Sequence, residues 1–110
     1  MKVPGCENAH IPRRKLTEYL LSETRPAGSP KALFFRSFGL SDSNVDLFEQ
    51  GLLAIVGSED VKETVSSPYG NKYIVDGNLE TPIGSVVSIR TVWIVESGHG
   101  QPRFVTAYPA

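Results

Sequence analysis

The chain has 110 residues, of which 40% are apolar, and its 11 basic side chains nearly balance its 12 acidic ones. This composition is typical of an ordinary folded protein, and the length suits one domain that buries a core without metals or disulfides. A formal net charge of −1 excludes a global attraction to nucleic acid, so an RNA-binding surface has to be a local basic patch.

No apolar run is long enough to span a bilayer, and no secretory signal follows Met1. We therefore expect a cytoplasmic protein that does not enter a membrane. Cys6 is the only cysteine, with neither a disulfide partner nor clustered histidines for zinc. We expect no metal site and no cofactor. His10 and His99 both fit exposed positions better than catalytic ones.

The first predicted helix follows an N-terminal arm, residues 1–11, that has no periodicity. Pro12 suits the first turn of a helix. Apolar side chains then share one face at helical spacing: Leu16, Tyr19 and Leu20. Basic side chains occupy the other side, either as a solvated face or as part of a phosphate-binding patch: Arg13, Arg14 and Lys15.

A second helix is predicted over residues 31–38, with Ser29 as its N-cap, Pro30 as its first residue and Gly39 just beyond its end. It is the most apolar helix and is therefore predicted to pack deepest, through Leu33, Phe34, Phe35 and Phe38. Lys31 lies in its first turn, where the helix dipole disfavours a cation. Either an interaction partner justifies this lysine or it is a simple surface residue.

A third helix is predicted after Asp42 or Ser43, either of which can cap it. Its apolar stripe consists of Val45, Phe48, Leu52 and Ile55, and Gly57 ends it. Gly51 interrupts the pattern at a cost of about 1 kcal/mol relative to alanine. A glycine at that position indicates close packing against another element.

From Val61 onward the period changes to two, and strands are predicted over residues 61–65, 71–79, 85–97 and 103–109. Short connections favour antiparallel neighbours. The strand over 85–97 is apolar on both faces, which predicts a central position. The sequence thus predicts an α+β fold in one domain, 1–110, with the helices of 12–57 against a four-stranded antiparallel meander of 61–109. One edge of that meander can be covered by a partner or by a second copy in a homodimer.

Polar side chains on the strands are the candidates for chemistry, because the sequence has no phosphate-cradling glycine loop, nucleophile motif or zinc motif. They are Lys72, Tyr73, Arg90, Thr91, Thr106 and Tyr108, with Tyr69 in the turn just before the strand of Lys72. In one interpretation they are structural: Arg90 pairs with Glu80 or Asp76, and Trp93 belongs to the core. In the other they form an anion-binding face, with Arg90 on a phosphate and aromatic rings as a stacking platform.

Four segments together resemble one bacterial domain family of uncharacterised activity: KLTEYLL (15–21), RPAGSPKALFFRSFGL (25–40), SPYGNKYIVDGNLETPIG (67–84) and SIRTVWIVESGHGQPRFVTAYP (88–109). That family occurs at the C-terminal tips of polymorphic secreted toxins and as small stand-alone proteins encoded beside an antitoxin-like protein. It is related by inference to the barnase, EndoU, colicin and RelE ribonucleases, whose N-terminal helices pack on a four-stranded antiparallel sheet.

The resemblance implies a metal-independent endoribonuclease toxin in which the RNA 2′-hydroxyl attacks the neighbouring phosphate. It implies catalytic roles for Lys31, Arg90 and Thr106, and RNA contacts from Arg25, Tyr69, Lys72, Thr91, Trp93 and Tyr108. Thr91 and Trp93 are similar to a hydroxyl-x-Trp pair of the colicin D-type tRNA nuclease. Arg25 stands where the family usually has histidine, so it either binds phosphate only or marks an impaired copy.

Two functions follow from these residues. The first is a ribonuclease toxin that cleaves an RNA such as tRNA and is neutralised by a small antitoxin or immunity protein. The alternative is a non-catalytic protein- or RNA-binding module of the same fold. The near-neutral charge, the scarcity of histidine and Arg25 favour the module, whereas the family context favours the toxin.

Overall fold

A computed structural model describes residues 1–21, 30–98 and 100–110. Its helical part contains a π-helix (Lys15–Leu20), α1 (Pro30–Ser37) and α2 (Val45–Ser58), with 3₁₀ turns at Cys6–Asn8 and Asp42–Asn44. Four strands follow: β1 (Glu63–Ser67), β2 (Gly70–Glu80), β3 (Val86–Glu96) and β4 (Arg103–Pro109). The predicted α+β fold is confirmed. The predicted N-cap Ser29 lies outside the described residues.

The sheet is an antiparallel meander in the order β1-β2-β3-β4. β3 pairs with β2 on one side and β4 on the other, as its two apolar faces predicted. Side chains alternate along β3: Ile89, Thr91 and Trp93 are buried against the helices. The alternate residues point to the opposite face, which no described helix covers, and Val86 on that face is 60% exposed.

Helix α2 forms the centre of the helical layer and packs on β2. Its predicted stripe is confirmed, because all of its members are buried: Val45, Phe48, Leu52 and Ile55. Gly51 allows this close approach, since a Cβ atom there would lie 2.3 Å from Leu79 Cδ1. Burial of this stripe stabilises the fold by about 1.5–3 kcal/mol per large side chain.

Helix α1 does not pack deepest, so that prediction was wrong. Only Ala32 and Phe35 are buried, and Leu33 is 66% exposed. The reason is position, because this short helix lies over the edge strand β4 and the π-helix, while α2 occupies the middle of the sheet. Gly39 ends α1 as predicted, with φ 88° and a hydrogen bond from the Leu40 N–H to the Phe35 carbonyl.

The start of α2 also differs from the prediction. A 3₁₀ turn precedes the helix: Ser41 caps that turn, and the N-cap position of α2 itself is Asn44, not Asp42 or Ser43. The Ser41 hydroxyl accepts a hydrogen bond from the Ser43 N–H at 3.3 Å, and the Asn44 side chain accepts one from the Ser41 N–H at 2.8 Å. At the other end the helix continues one residue past Gly57, to Ser58.

The N-terminal residues belong to the fold and are not a detached arm. Val3 and Ile11 are buried in the core. The His10 N–H donates to the Pro102 carbonyl at 2.8 Å and the His10 carbonyl accepts from the Phe104 N–H at 2.9 Å, which places this segment parallel to the start of β4. One sheet edge is therefore partly covered, whereas β1 at the other edge consists mostly of exposed residues.

None of the described helices has the length and apolar character that crossing a lipid bilayer requires.

Candidate functional site

Three rows of cross-strand neighbours span β2, β3 and β4 on the sheet face that points away from the helices, which we call the outer face. In order along the sheet these three rows are Lys72–Ile94–Arg103, Ile74–Val92–Thr106 and Asp76–Arg90–Tyr108, and the face continues through Asn78–Ser88 and Glu80–Val86. The register shift between Val92 and Trp93 keeps Arg103 and Thr106 on the same face. Four residues predicted to contact substrate therefore share this face: Lys72, Arg90, Thr106 and Tyr108.

Lys31 reaches the edge of this face from the first turn of α1. Its Nζ donates to Tyr19 Oη at 3.0 Å and to Thr106 Oγ1 at 3.1 Å. The same Nζ lies 5.3 Å from the ring centre of Tyr19 and 5.6 Å from that of Tyr108, within cation–π range. We call these four residues the Lys31 cluster. It joins two residues predicted to be catalytic, Lys31 and Thr106, that lie 75 positions apart in the sequence.

The Lys31 cluster has the chemistry of an anion site. An ammonium group carries three N–H donors, and two of those of Lys31 bond to hydroxyl oxygens of the protein. No carboxylate pairs with Lys31 in the described ranges. One N–H and a full positive charge therefore remain for a ligand. Lys31 is half-buried, which strengthens its interaction with an anion relative to a solvated lysine.

Arg90 lies beside the cluster, directly opposite Tyr108, but it is bound to a carboxylate. Its Nε and Nη2 donate to the two oxygens of Asp76 at 2.8 and 2.9 Å, and Lys62 lies 3.4 Å from the same carboxylate. These hydrogen bonds hold the pKa of Asp76 below its ordinary value, and Asp76, with Tyr108, raises the pKa of Arg90. The structural interpretation with Asp76 holds, because the register puts Val86 and not Arg90 opposite Glu80.

Thr91 and Trp93 lie on the core face, so the expectation that they contact RNA is corrected. Both side chains are fully buried. Trp93 Nε1 donates to Thr91 Oγ1 at 2.8 Å, and Thr91 Oγ1 donates to the Val75 carbonyl at 2.7 Å. The Trp93 ring also packs edge-to-face on Phe104. The polar atoms of the hydroxyl-x-Trp pair thus form hydrogen bonds inside the core and are not available to RNA.

Other candidates lie away from the cluster. Tyr69 is 79% exposed in the β1–β2 turn, next to the end of the sheet where Gly70 pairs with Glu96. Thr106 pairs with Val92, which lies four positions from Glu96 along β3. This spacing separates the row of Thr106 from the end of the sheet near Tyr69 by about 13 Å. Lys72 is exposed two strands away from β4. Arg25 and His99 lie outside the described residues.

Sequence reasoning missed Tyr19, which it assigned to the apolar face of the first helix. The structure turns its hydroxyl toward Lys31, while Leu16 and Leu20 beside it are buried in the core. A tyrosine at a half-buried helix position requires a polar partner for its hydroxyl, and that requirement was the available signal. Over the described ranges, no group of three or more His, Cys, Asp or Glu side chains is placed to hold a metal ion.

The chain belongs to the family described as Domain of unknown function (DUF6883), whose profile matches residues 2–110. No curated protein matches it in sequence. The fold is shared with a chain of the solved "Contact-dependent growth inhibition toxin - immunity protein complex from Klebsiella pneumoniae 342". The two chains superpose with a TM-score of 0.75 over 96% of each, at 18% sequence identity.

Proposed function

We propose that this protein is a ribonuclease toxin that cleaves RNA at the Lys31 cluster by attack of the 2′-hydroxyl, without a metal ion. The observation that carries the proposal is the Lys31 ammonium, held by the hydroxyls of Tyr19 and Thr106 with a donor left over. The fold shared with a chain of a toxin–immunity complex supports a role in such a system.

In this reaction the 2′ oxygen bonds to the adjacent phosphorus and the bond from phosphorus to the 5′ oxygen breaks. A proton leaves the 2′-hydroxyl and another reaches the departing 5′ oxygen, which yields a 2′,3′-cyclic phosphate and a 5′-hydroxyl. Negative charge accumulates on the non-bridging oxygens in the transition state. Lys31 stabilises that charge, and the Thr106 hydroxyl orients one phosphate oxygen.

Tyr108 and Arg90 extend the proposed site along the outer face. The Tyr108 ring contacts the ammonium of Lys31 on one side, and Arg90 is its cross-strand neighbour. Tyr108 thus offers a surface on which a base can stack next to the reacting phosphate. Arg90 already donates two hydrogen bonds to Asp76. We therefore propose that Arg90 positions Tyr108 and does not bind the scissile phosphate. Lys72, Tyr69 and Arg25 remain proposed contacts for flanking nucleotides.

The proposed partner is a small immunity protein that blocks the toxin in the cytoplasm, where its RNA target is found. The solved neighbour is itself part of a toxin–immunity complex. A protein that covers the Lys31 cluster has to neutralise its unpaired charge, so we expect carboxylates on the surface of that partner.

The test is incubation of the purified protein with total tRNA in excess EDTA, followed by mapping of the fragment ends. We expect discrete cuts that carry 2′,3′-cyclic phosphates. Lys31→Ala should lower the cleavage rate by about 10²–10³-fold, the range for loss of one group that stabilises transition-state charge. Lys2→Ala, the removal of a lysine that is 48% exposed near Asp60, is the matched control and should cleave like the wild type.

Intact tRNA at high protein excess would contradict the ribonuclease proposal. The second candidate, a binding module without catalysis, would then be favoured. The observation behind this second candidate is the Asp76 carboxylate, which neutralises Arg90 and so removes one cation that the chemistry was expected to use. In that case tRNA should bind without being cut, and Lys31→Ala should weaken its binding.

A further inference from the structure

A basic concavity adjoins the Lys31 cluster and shares Tyr19 with it. It has a volume of about 320 Å³ and is lined by three cationic side chains and one carboxylate, together with Pro12 and Tyr19: Arg14, Lys15, Arg103 and Glu18. The π-helix and the preceding turn contribute most of this lining, and β4 contributes Arg103. We call it the Arg14 pocket.

The positive charge of the Arg14 pocket is neutralised only in part, by Glu96 on Arg103 and by Glu18 in the lining. Arg14 forms no ion pair within the described ranges, and Lys15 Nζ approaches only the Val105 carbonyl, at 3.5 Å. Arg103 alone is paired, with Glu96 at 2.7 Å. The protein as a whole carries a net charge of −1, so these cations are grouped locally. Because like charges repel, such a group creates a positive potential that an anion would stabilise.

The neighbouring Arg13 shows what a structural arginine looks like in the same turn. Its Nη2 lies 2.5 Å from the Asp46 carboxylate and 3.6 Å from Glu49, both on α2. The hydrogen bond with Asp46 raises the pKa of Arg13. The basic cluster predicted from the sequence therefore divides in two: Arg13 ties the π-helix segment to α2, whereas Arg14 and Lys15 line the pocket.

We infer that the Arg14 pocket binds a phosphate of an RNA strand next to the scissile one, so that the substrate is an extended single-stranded segment and not a dinucleotide. This inference rests on the proposed function of the Lys31 cluster. Tyr19 connects the two sites, because Lys15 Nζ lies 5.6 Å and Lys31 Nζ 5.3 Å from its ring centre. Cations spaced along an aromatic side chain are the arrangement with which proteins follow a single-stranded backbone.

The test uses 2′-fluoro oligoribonucleotides of two and six nucleotides, which bind but cannot react because the attacking hydroxyl is missing. Binding to the full chain is measured by fluorescence anisotropy at several salt concentrations. Arg14→Ala should weaken binding of the six-nucleotide RNA by about three- to tenfold, the range for a partly exposed charge-assisted contact. Binding of the two-nucleotide RNA should not change. The slope of log K against log salt should fall by about 0.7, which corresponds to one lost phosphate contact.

Two further variants sharpen the test. Arg13→Ala removes the same charge one residue away, outside the pocket, and should leave the affinity for the hexamer unchanged. Glu18→Gln removes the one carboxylate of the pocket lining and should tighten binding of the hexamer. Equal losses in Arg13→Ala and Arg14→Ala, or none in either, would overturn the inference.

The two proposals fail in different ways. If the wild type cleaves tRNA but binds both oligonucleotides equally well, the Arg14 pocket is not a phosphate subsite and the ribonuclease proposal stands. If tRNA stays intact while binding of the hexamer depends on Arg14, the pocket is established and catalysis is refuted. Circular dichroism of each variant confirms that the exposed substitutions leave the fold unchanged.

Discussion

Thr91 Oγ1 is a single atom that serves two partners in the interior of the sheet. It accepts from Trp93 Nε1 and donates to the Val75 carbonyl. Thr91→Val keeps the shape of the side chain but leaves both partners unpaired in a buried site, where a lost partner costs about 1–3 kcal/mol. We expect the free energy of unfolding in urea to fall by at least that amount.

The same variant separates a structural role from RNA binding. Because Thr91 faces the core, the fraction of Thr91→Val that stays folded should cleave tRNA, or bind RNA, like the wild type. Ser88→Ala, on the outer face of the same strand, is the control and should change stability little. If Thr91→Val had normal stability but had lost RNA binding, the structural role would be contradicted and Thr91 would be a substrate contact.

Asp76 links the fold to pH. Its pKa is lower in the folded state because Arg90 and Lys62 stabilise the carboxylate. A carboxyl of this kind stabilises the fold above its unfolded pKa of about 3.9, and the contribution is lost as pH falls through the lower folded pKa. Asp76→Asn should therefore unfold more easily than the wild type at pH 7, and the difference should shrink below about pH 4.

Urea titrations of both proteins between pH 7 and pH 2.5 measure this difference. Asp60→Asn serves as control, because that carboxylate is 72% exposed and lies 3.5 Å from the N-terminal amine. Its effect on stability should be small throughout. A difference for Asp76→Asn that stayed constant down to the lowest pH would show that the carboxylate is not what stabilises this part of the sheet.

At the scale of one element, α2 contains two glycines in opposite surroundings. A Cβ at Gly51 would lie 2.3 Å from Leu79 Cδ1, in the core, whereas a Cβ at Gly57 would meet no atom within 4 Å. Gly57→Ala should stabilise the protein by up to about 1 kcal/mol, the difference in helix propensity. Gly51→Ala should destabilise it by about 1–3 kcal/mol, because overpacking outweighs propensity.

Thermal unfolding of the two variants side by side tests this contrast. The double variant Gly51→Ala with Leu79→Ala removes the obstructing side chain. Its loss of stability should be smaller than the sum of the losses in the two single variants, because removing the Leu79 side chain relieves the clash. If Gly51→Ala alone stabilises α2 as much as Gly57→Ala does, the helix does not approach β2 as closely as described.

Local sequence patterns predicted the helices and strands better than they predicted how deeply each one is buried. The alternation in β3 and the stripe on α2 follow from residues a few positions apart, so they could be read from the sequence. The exposure of Leu33 could not, because it depends on which part of the sheet lies beneath α1. The π-helix could not be predicted either, because the side chains that fit it also fit an α-helix. Hydrogen bonds between residues five apart distinguish the two, such as the bond from the Leu21 N–H to the Leu16 carbonyl.

At the scale of the whole molecule, the site could be predicted only in part. The resemblance named Lys31 and Thr106, and the structure places them in hydrogen-bond contact. Whether Arg90 meets Asp76 or Glu80 depends on strand register, which the sequence alone left open. Arg14 could not be told from Arg13, because adjacent arginines differ only in the partners that distant parts of the chain bring to them.

The position of β4 has a consequence for the order in which the protein is made. Synthesis runs from the N-terminus, so His10 and Lys31 leave the ribosome long before Phe104 and Thr106, the residues to which they bond. A nascent chain that ends before residue 103 contains the lysine but cannot contain the assembled site. Under the proposed function, a nascent chain cannot cleave RNA while it is being translated until β4 has emerged.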